Sequence, residues 1–128
     1  MAGLLVDQGE GIALKALTDL GLVLHLFKNV VTPADTDTEA LYTESTFTGY
    51  APITLVAGSW STVIGNPTIR TYPEQVFISS ADQTLENVLG YYITTAAGLL
   101  VAPEAFGAAF PIQFLNDRVF VTPRIGGE

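Results

Sequence analysis

The sequence predicts an all-β protein: an antiparallel β-sandwich or jelly-roll-like barrel, preceded by a short N-terminal helix or arm. Two segments, Leu22–Phe27 and Asn87–Thr95, alternate their side chains in the period-2 pattern of a strand. Shorter strand candidates recur between them and after them, about every 8 to 12 residues, with Gly, Pro and Asn in the gaps. This spacing is typical of antiparallel sandwiches and barrels.

The N-terminal segment predicts the only helix. From Glu10 to Leu20, apolar residues follow one another at spacings of three and four, and Gly21 is placed to end the helix. The apolar face consists of Ile12, Ala13, Ala16, Leu17 and Leu20. Residues 1–11 are either a frayed terminus or an arm that becomes ordered on a partner. We therefore divide the chain into residues 1–21, an arm with a short helix, and residues 22–128, the β-sandwich domain.

The remaining strands are predicted from β-branched and aromatic runs bounded by turn residues. The segment 79–87 is polar and is predicted to be a loop, and Pro103–Pro111 is predicted to be irregular. The predicted strands are Leu22–Phe27, Thr43–Thr48, Ile53–Val56, Trp60–Ile64, Thr68–Tyr72, Gln75–Ser79, Val88–Thr95, Leu99–Ala102 and Arg118–Ile125.

Composition narrows the class of partner. A chain of 128 residues fits one domain. Its formal net charge of −8, from 13 acidic and 5 basic residues, opposes binding to nucleic acid. No apolar stretch reaches the length of a membrane-spanning helix, and no cysteine is present. Residues are 48% hydrophobic and only 14% charged, which indicates either burial against other subunits or an ordinary small domain rich in Ala and Gly.

Side chains suited to catalysis or metal binding are scarce. The single histidine, His25, lies inside a strand and is predicted to be structural. No motif for a nucleophile, a phosphate loop or a dinucleotide site is present. Asp35, Asp37 and Glu39 alternate in a loop, but the spacing fails the EF-hand pattern, so a solvated acidic turn and a calcium site both stay open. We predict no catalytic residue, no cofactor and no metal ligand.

Aromatic residues on the strand candidates allow two interpretations. They could form a platform that binds sugars, but core and inter-subunit packing is the more common role in a sandwich. The residues concerned are Phe47, Tyr50, Trp60, Tyr72, Phe77, Tyr91 and Tyr92.

Four sequence motifs carry a family resemblance. They are Leu24-His-Leu-Phe-Lys-Asn29 followed by Val31-Thr-Pro33, then Tyr42-Thr-Glu-Ser-Thr-Phe-Thr-Gly-Tyr-Ala51, then Gly90-Tyr-Tyr92, and Val119-Phe-Val-Thr-Pro123. Together they resemble a family of small virion structural proteins of tailed bacteriophages, over nearly the whole chain. Relatives tend to have a more polar segment where this chain has Leu99–Phe106.

The resemblance implies a structural component of the phage particle. The first function it suggests is a capsid cement or decoration protein, made in the host cytoplasm and bound to the outer surface of the major capsid protein shell. The alternative is a tail-fibre or head-fibre module that binds a host receptor or glycan.

We expect the apolar residues of the arm to contact the particle, and the Pro103–Pro111 segment to lie near contacts between subunits. A homotrimer on the particle is expected, since capsid lattices present three-fold positions. The predicted partner-binding residues are Leu4, Leu5, Val6, Ile12, Leu17, Phe106 and Phe110.

Overall fold

A computed structural model describes residues 6–65 and 67–126, and it is an all-β protein with one short N-terminal helix, as predicted. All strand pairs with a stated register are antiparallel. The elements are α1 (Asp7–Thr18), β1 (Val23–Phe27), β2 (Ile53–Thr54), β3 (Ser61–Val63), β4 (Ile69–Thr71), β5 (Gln75–Ile78), β6 (Glu86–Thr94), β7 (Leu100–Ile112), β8 (Arg118–Val121) and β9 (Arg124–Gly126), with 3₁₀ turns at Glu39–Leu41 and Ala57–Ser59.

The two segments with the clearest alternation lie side by side at the centre of the largest sheet. This sheet has the order β2-β1-β6-β7, and His25 of β1 stands opposite Tyr92 of β6. A three-stranded sheet β3-β4-β9 and a two-stranded sheet β5-β8 complete the fold. The main core cluster draws buried residues from all three sheets, including Leu24, Phe77 and Ile125, which is the arrangement of a β-sandwich-like protein.

Both faces of β1 are covered, as the apolar residues on both of its faces predict. On one face, Leu24 and Leu26 enter the main core. On the other face, Phe27 packs with Tyr42 and Tyr92 in a second, smaller cluster under the loop that follows β1. This loop, residues 28–43, therefore forms a partial outer layer over the large sheet.

Helix α1 buries a different face from the one that the apolar spacing predicts. Of the predicted face, only Leu17 is half-buried, whereas Ile12 and Leu20 are 74% and 61% exposed. The side that packs against β3 and β4 carries Leu14 and Thr18, both buried. One contact that fixes this orientation is made by Thr18, which accepts hydrogen bonds from a buried arginine.

The helix comes close to Ile64 at Gly11. A Cβ at this position would lie 2.9 Å from Ile64 Cδ1. Leu14 belongs to the main core cluster together with residues of the sheets. The boundary at residue 21 thus separates helix from strands, but the helix and the sheets share one core.

The segment Thr43–Thr48, predicted as a strand, forms only an isolated bridge between Phe27 and Glu44. At this bridge the Ser45 amide donates to the Leu26 carbonyl and the Lys28 amide donates to the Thr43 carbonyl, both at 2.9 Å. The pairing goes no further, and the Thr46 amide donates to the Glu86 carboxylate at 3.2 and 3.3 Å. Phe47 still points into the main core.

Strand β7 corrects the prediction of an irregular Pro103–Pro111. The strand runs for 13 residues, and it tolerates its prolines because it lies at the edge of the sheet. Its register against β6 shifts between Val88 and Gly90, so residues 106–109 bulge out of the ladder. The predicted last strand, Arg118–Ile125, is two strands, since Thr122 and Pro123 separate β8 from β9 and these two strands pair with different sheets.

Candidate interaction surface

The predicted partner-binding residues of the N-terminal segment lie in three different environments. Leu4 and Leu5 fall outside the described residues. Val6 and Ile12 are exposed, at 60% and 74%. Leu17 packs against the main core and is half-buried. The helix therefore offers Val6 and Ile12, and not a continuous leucine-lined face.

Phe106 and Phe110 are both turned toward the protein interior. Their rings form an edge-to-face pair with centroids 5.0 Å apart, and Phe106 also contacts Tyr91 at 6.2 Å. Both rings are partly buried against the main core. They stabilise the bulge of β7 from inside, and the outward side of the bulge presents Gly107, Ala108 and Ala109, which are exposed.

The close pairing of β7 with β6 depends on Gly90. A Cβ on Gly90 would collide with the Phe27 ring and with the Glu104 carbonyl oxygen. Because β7 is the last strand of its sheet, its outer edge pairs with no other strand in the part of the chain that the structure describes. We call residues Leu100–Ala105 of this strand the β7 edge.

A groove runs beside the β7 edge, between this strand and the loop that covers the large sheet. It has a volume of about 310 Å³ and continues into a hollow of about 520 Å³ that shares Asp37 and Leu100 with it. Its walls combine carboxylates with apolar side chains. The lining residues are Pro33, Ala34, Asp35, Asp37, Thr38, Glu39, Ala40, Gly98, Leu99, Leu100, Val101 and Pro103. We call this the acidic groove.

Asp37 stabilises the loop that forms one wall of the acidic groove. One carboxylate oxygen of Asp37 accepts hydrogen bonds from the Tyr42 hydroxyl at 2.7 Å and from the Ala34 amide at 3.0 Å. Burial, and then the hydrogen bond to Asp37, raise the pKa of Tyr42 above its usual range. The Tyr42 ring in turn stacks on Tyr92 at 5.4 Å, so the loop is anchored to the central strand β6.

Asp35 and Glu39, the other two carboxylates of the groove, are exposed and carry no hydrogen bond or ion pair within the described residues. No lysine or arginine is among the residues that line the groove. Three or more Asp, Glu, His or Cys side chains converge nowhere in residues 6–65 and 67–126 in a way that could hold a metal ion. The groove is negative, but its charges are spread along its length.

A polar network behind the same loop has the connectivity of a catalytic triad. His25 Nδ1 lies 2.8 Å from Glu44 Oε2, and His25 Nε2 lies 2.9 Å from Thr94 Oγ1. Sequence reasoning missed this arrangement because the three residues are far apart in the chain. Thr94 is only 3% exposed, so a substrate cannot reach its hydroxyl in this conformation.

The network instead joins the outer loop to the central strands. The Tyr50 hydroxyl donates to Glu44 at 2.6 Å and accepts from the Leu26 amide at 3.1 Å. Burial and the Glu44 carboxylate raise the pKa of Tyr50. The Tyr92 ring stacks on His25 at 4.7 Å and nearly parallel, at 8°. The location of His25 in this network fits the structural role predicted for it.

A second exposed feature is the outer side of the two-stranded sheet β5-β8. Val76 and Phe120 stand directly opposite each other and are 40% and 45% exposed. Ile78, two residues from Val76 on the same side, is 37% exposed. The opposite side of these strands carries Phe77 and Val119, which are buried in the core. We call Val76, Ile78 and Phe120 the β5-β8 face.

Comparisons with protein-family models, with curated proteins and with solved structures find no match to this chain. The surface features above are therefore interpreted from their own residues. Among the described residues, no helix is long and apolar enough to cross a membrane.

Proposed function

We propose that this protein is a structural component of a tailed-phage virion, a capsid cement or decoration protein that binds the outer surface of the major capsid protein shell and stabilises it. The phage origin is supported by the resemblance of the four sequence motifs. The observation that carries a contact function is the β5-β8 face, an exposed apolar cross-strand pair with Ile78 beside it. Large apolar side chains placed together on a surface are typical of protein–protein contacts.

The β5-β8 face offers each copy of the protein only a small contact area, and the repetition of this contact over the shell makes it effective. Burying one large apolar side chain contributes about 1.5 to 3 kcal/mol. A shell presents the same site many times, so a modest contact per copy adds up to a large stabilisation of the particle. The proposed assembly is a homotrimer on the particle, supported by a composition with 48% hydrophobic and only 14% charged residues.

The net charge of −8 fits a protein on the outer side of the shell, away from the packaged DNA. The proposal includes no nucleic-acid partner, no membrane partner, no cofactor and no catalytic step.

The alternative, a fibre module that binds a receptor or glycan, receives less support from the aromatic residues. Six of the seven candidates for a sugar platform are buried, and Tyr50 is half-buried. Trp60 and Tyr92 are 6% and 1% exposed. A stacking platform needs exposed ring faces, and these rings lie inside the protein.

The test measures binding of the purified protein to capsid shells that lack it. Phe120→Ser should weaken binding about tenfold or more, because it removes the largest side chain of the β5-β8 face. Val63→Ser is the matched control, since Val63 is 59% exposed on a different sheet. Equal binding by Phe120→Ser and the unaltered protein would contradict the assignment of this face. Absence of the unaltered protein from shells would contradict the proposed function itself.

A further inference from the structure

We propose that the β7 edge and the acidic groove receive an extended segment of a partner chain that carries lysine or arginine, and that this segment pairs with β7 as an added strand. This inference rests on the proposed function only for the source of the segment, which in the particle is the shell protein. The pairing itself is argued from the open strand edge, the shape of the groove and the charge of its walls.

The open edge supplies the backbone partner. The β7 edge is six residues long, about 20 Å, and β6 occupies only one of its two sides. The other side leaves backbone N–H and C=O groups available for an incoming strand, although Pro103 contributes an acceptor and no donor. An extended peptide that adds to such an edge gains its affinity from main-chain hydrogen bonds.

The groove supplies pockets for the side chains of the added strand. Leu100, Val101 and Pro103 line it from the strand side. Leu99, which is 70% exposed, extends the apolar surface into the adjoining hollow. Apolar residues of an incoming segment can pack here, because alternate side chains of a strand point to the same face.

The negative charge of the groove favours a segment with positively charged side chains. Asp35 and Glu39 line the groove with carboxylates that no cation within the described residues neutralises. They are spread along the groove instead of converging on one point, which favours several separated ammonium or guanidinium groups over a single metal ion.

The same charges oppose pairing of β7 with β7 of a second copy. That arrangement would bring two acidic grooves together, and like charges across a strand pair are destabilising. Glu104 of β7 has a partner within the chain, since Arg124 lies 3.7 Å from it. The occupant that fits is therefore a basic segment of a different chain.

The probe is a short peptide that repeats Lys-Lys-Val-Val, so that each face of the extended chain carries both lysine and valine. It is added to the isotopically labelled full-length protein and followed by NMR. We expect the amides of Leu100–Ala105 to shift and to gain protection from hydrogen exchange. A peptide of the same sequence with every backbone amide nitrogen methylated should bind much more weakly, because it has no N–H group to donate to the ladder. Equal binding of the two peptides, or shifts confined to other strands, would overturn the inference.

Charge is tested by the double variant Asp35→Asn/Glu39→Gln. We expect this variant to bind the lysine–valine peptide about fivefold more weakly, because it loses two exposed ion pairs and each of these contributes little. The matched control is Asp19→Asn/Glu74→Gln, which removes the same amount of charge away from the groove. Both control residues are exposed: Asp19 directly follows α1, and Glu74 directly precedes β5. Equal weakening in both double variants would overturn the role of the groove.

The two proposals fail separately. Loss of peptide pairing while the unaltered protein still decorates shells would overturn only the β7 inference. Peptide pairing at the β7 edge with no decoration of shells would contradict the capsid function and leave the docking site standing.

Discussion

The buried guanidinium of Arg70 donates two hydrogen bonds to one oxygen, Thr18 Oγ1, from Nε at 3.3 Å and from Nη2 at 3.1 Å. Its third contact is Nη1 to Thr62 Oγ1 at 2.6 Å. Arg70 is 7% exposed and Thr18 is fully buried, so the last turn of α1 is attached to β4 by a charged group that has little access to water. This pair explains why α1 turns a polar residue inward and leaves Ile12 outside.

Thr18→Val should lower the free energy of unfolding by about 2 to 3 kcal/mol. The substitution keeps the shape of the side chain but leaves two donors of a buried cation without an acceptor. Urea unfolding measures the change. Thr18→Ser, which keeps the hydroxyl, should recover most of the loss. Thr32→Val, at an exposed position, should change stability by less than about 0.5 kcal/mol. Equal stability of Thr18→Val and the unaltered protein would contradict this role.

Gly90→Ala should destabilise the protein by about 3 kcal/mol or more, or prevent folding. The added methyl group would collide with the Phe27 ring and with the backbone of Glu104, and a backbone atom cannot move aside cheaply. Gly107→Ala is the control, because nothing lies within 4 Å of the Cβ position there. Thermal unfolding of both variants provides the comparison. A Gly90→Ala protein as stable as Gly107→Ala would show that β6 and β7 are not in contact at this point.

Trp60→Ala should cost about 3 to 5 kcal/mol, through lost burial and the cavity that remains. The Trp60 ring is 6% exposed and packs edge-to-face on Tyr72 at 5.2 Å. Trp60→Phe should cost much less, since it also removes an indole N–H that has no hydrogen-bond partner among the described residues. Denaturant unfolding of the two variants measures the difference. A loss below about 1 kcal/mol for Trp60→Ala would place the ring on the surface and favour the glycan-binding alternative.

Alkaline pH should unfold the protein in step with ionisation of its buried tyrosines. Burial raises the pKa of Tyr50, with a further contribution from Glu44, and burial raises that of Tyr91 and Tyr92 as well. A folded-state pKa above the unfolded value stabilises the protein fully below about pH 10, and this stabilisation is lost as the pH rises through the folded-state pKa.

Phenolate absorbance and circular dichroism, recorded in one titration, test this. We expect the main rise in phenolate absorbance to coincide with loss of the β signal. The urea-unfolded protein is the control and should titrate near pH 10. Ionisation of these tyrosines near that pH in a protein that keeps its β signal would contradict their burial.

The sequence predicts the fold class and the central strands well, because these depend on local alternation. Leu22–Phe27 and Val88–Thr95 coincide with β1 and β6 to within two residues at each end. The buried face of α1 could not be predicted, since it depends on Arg70, which is 52 residues from Thr18 in the chain. Thr43–Thr48 has the composition of a strand, but its pairing with β1 stops at an isolated bridge. The Thr46 amide then donates to the Glu86 side chain, a contact that periodicity cannot reveal.

The sequence suggests only some of the exposed features on which the proposed interaction surfaces rest. Val6 and Ile12 are exposed as a contact would require, whereas Phe106 and Phe110 face the core. The β5-β8 face was missed because Val76 and Phe120 lie on strands that are distant in sequence, and only their pairing brings them together. The strand edge at β7 was missed because prolines made its segment look irregular.

The most direct test of the proposed capsid function is a density map of the intact phage particle, together with the copy number of this protein relative to the major capsid protein. We expect a copy number comparable to that of the capsid protein, with three copies meeting on the outer surface of the shell and the β5-β8 face in contact with it. A protein present in only tens of copies at the tail or on fibres, or absent from the particle, would contradict the capsid function.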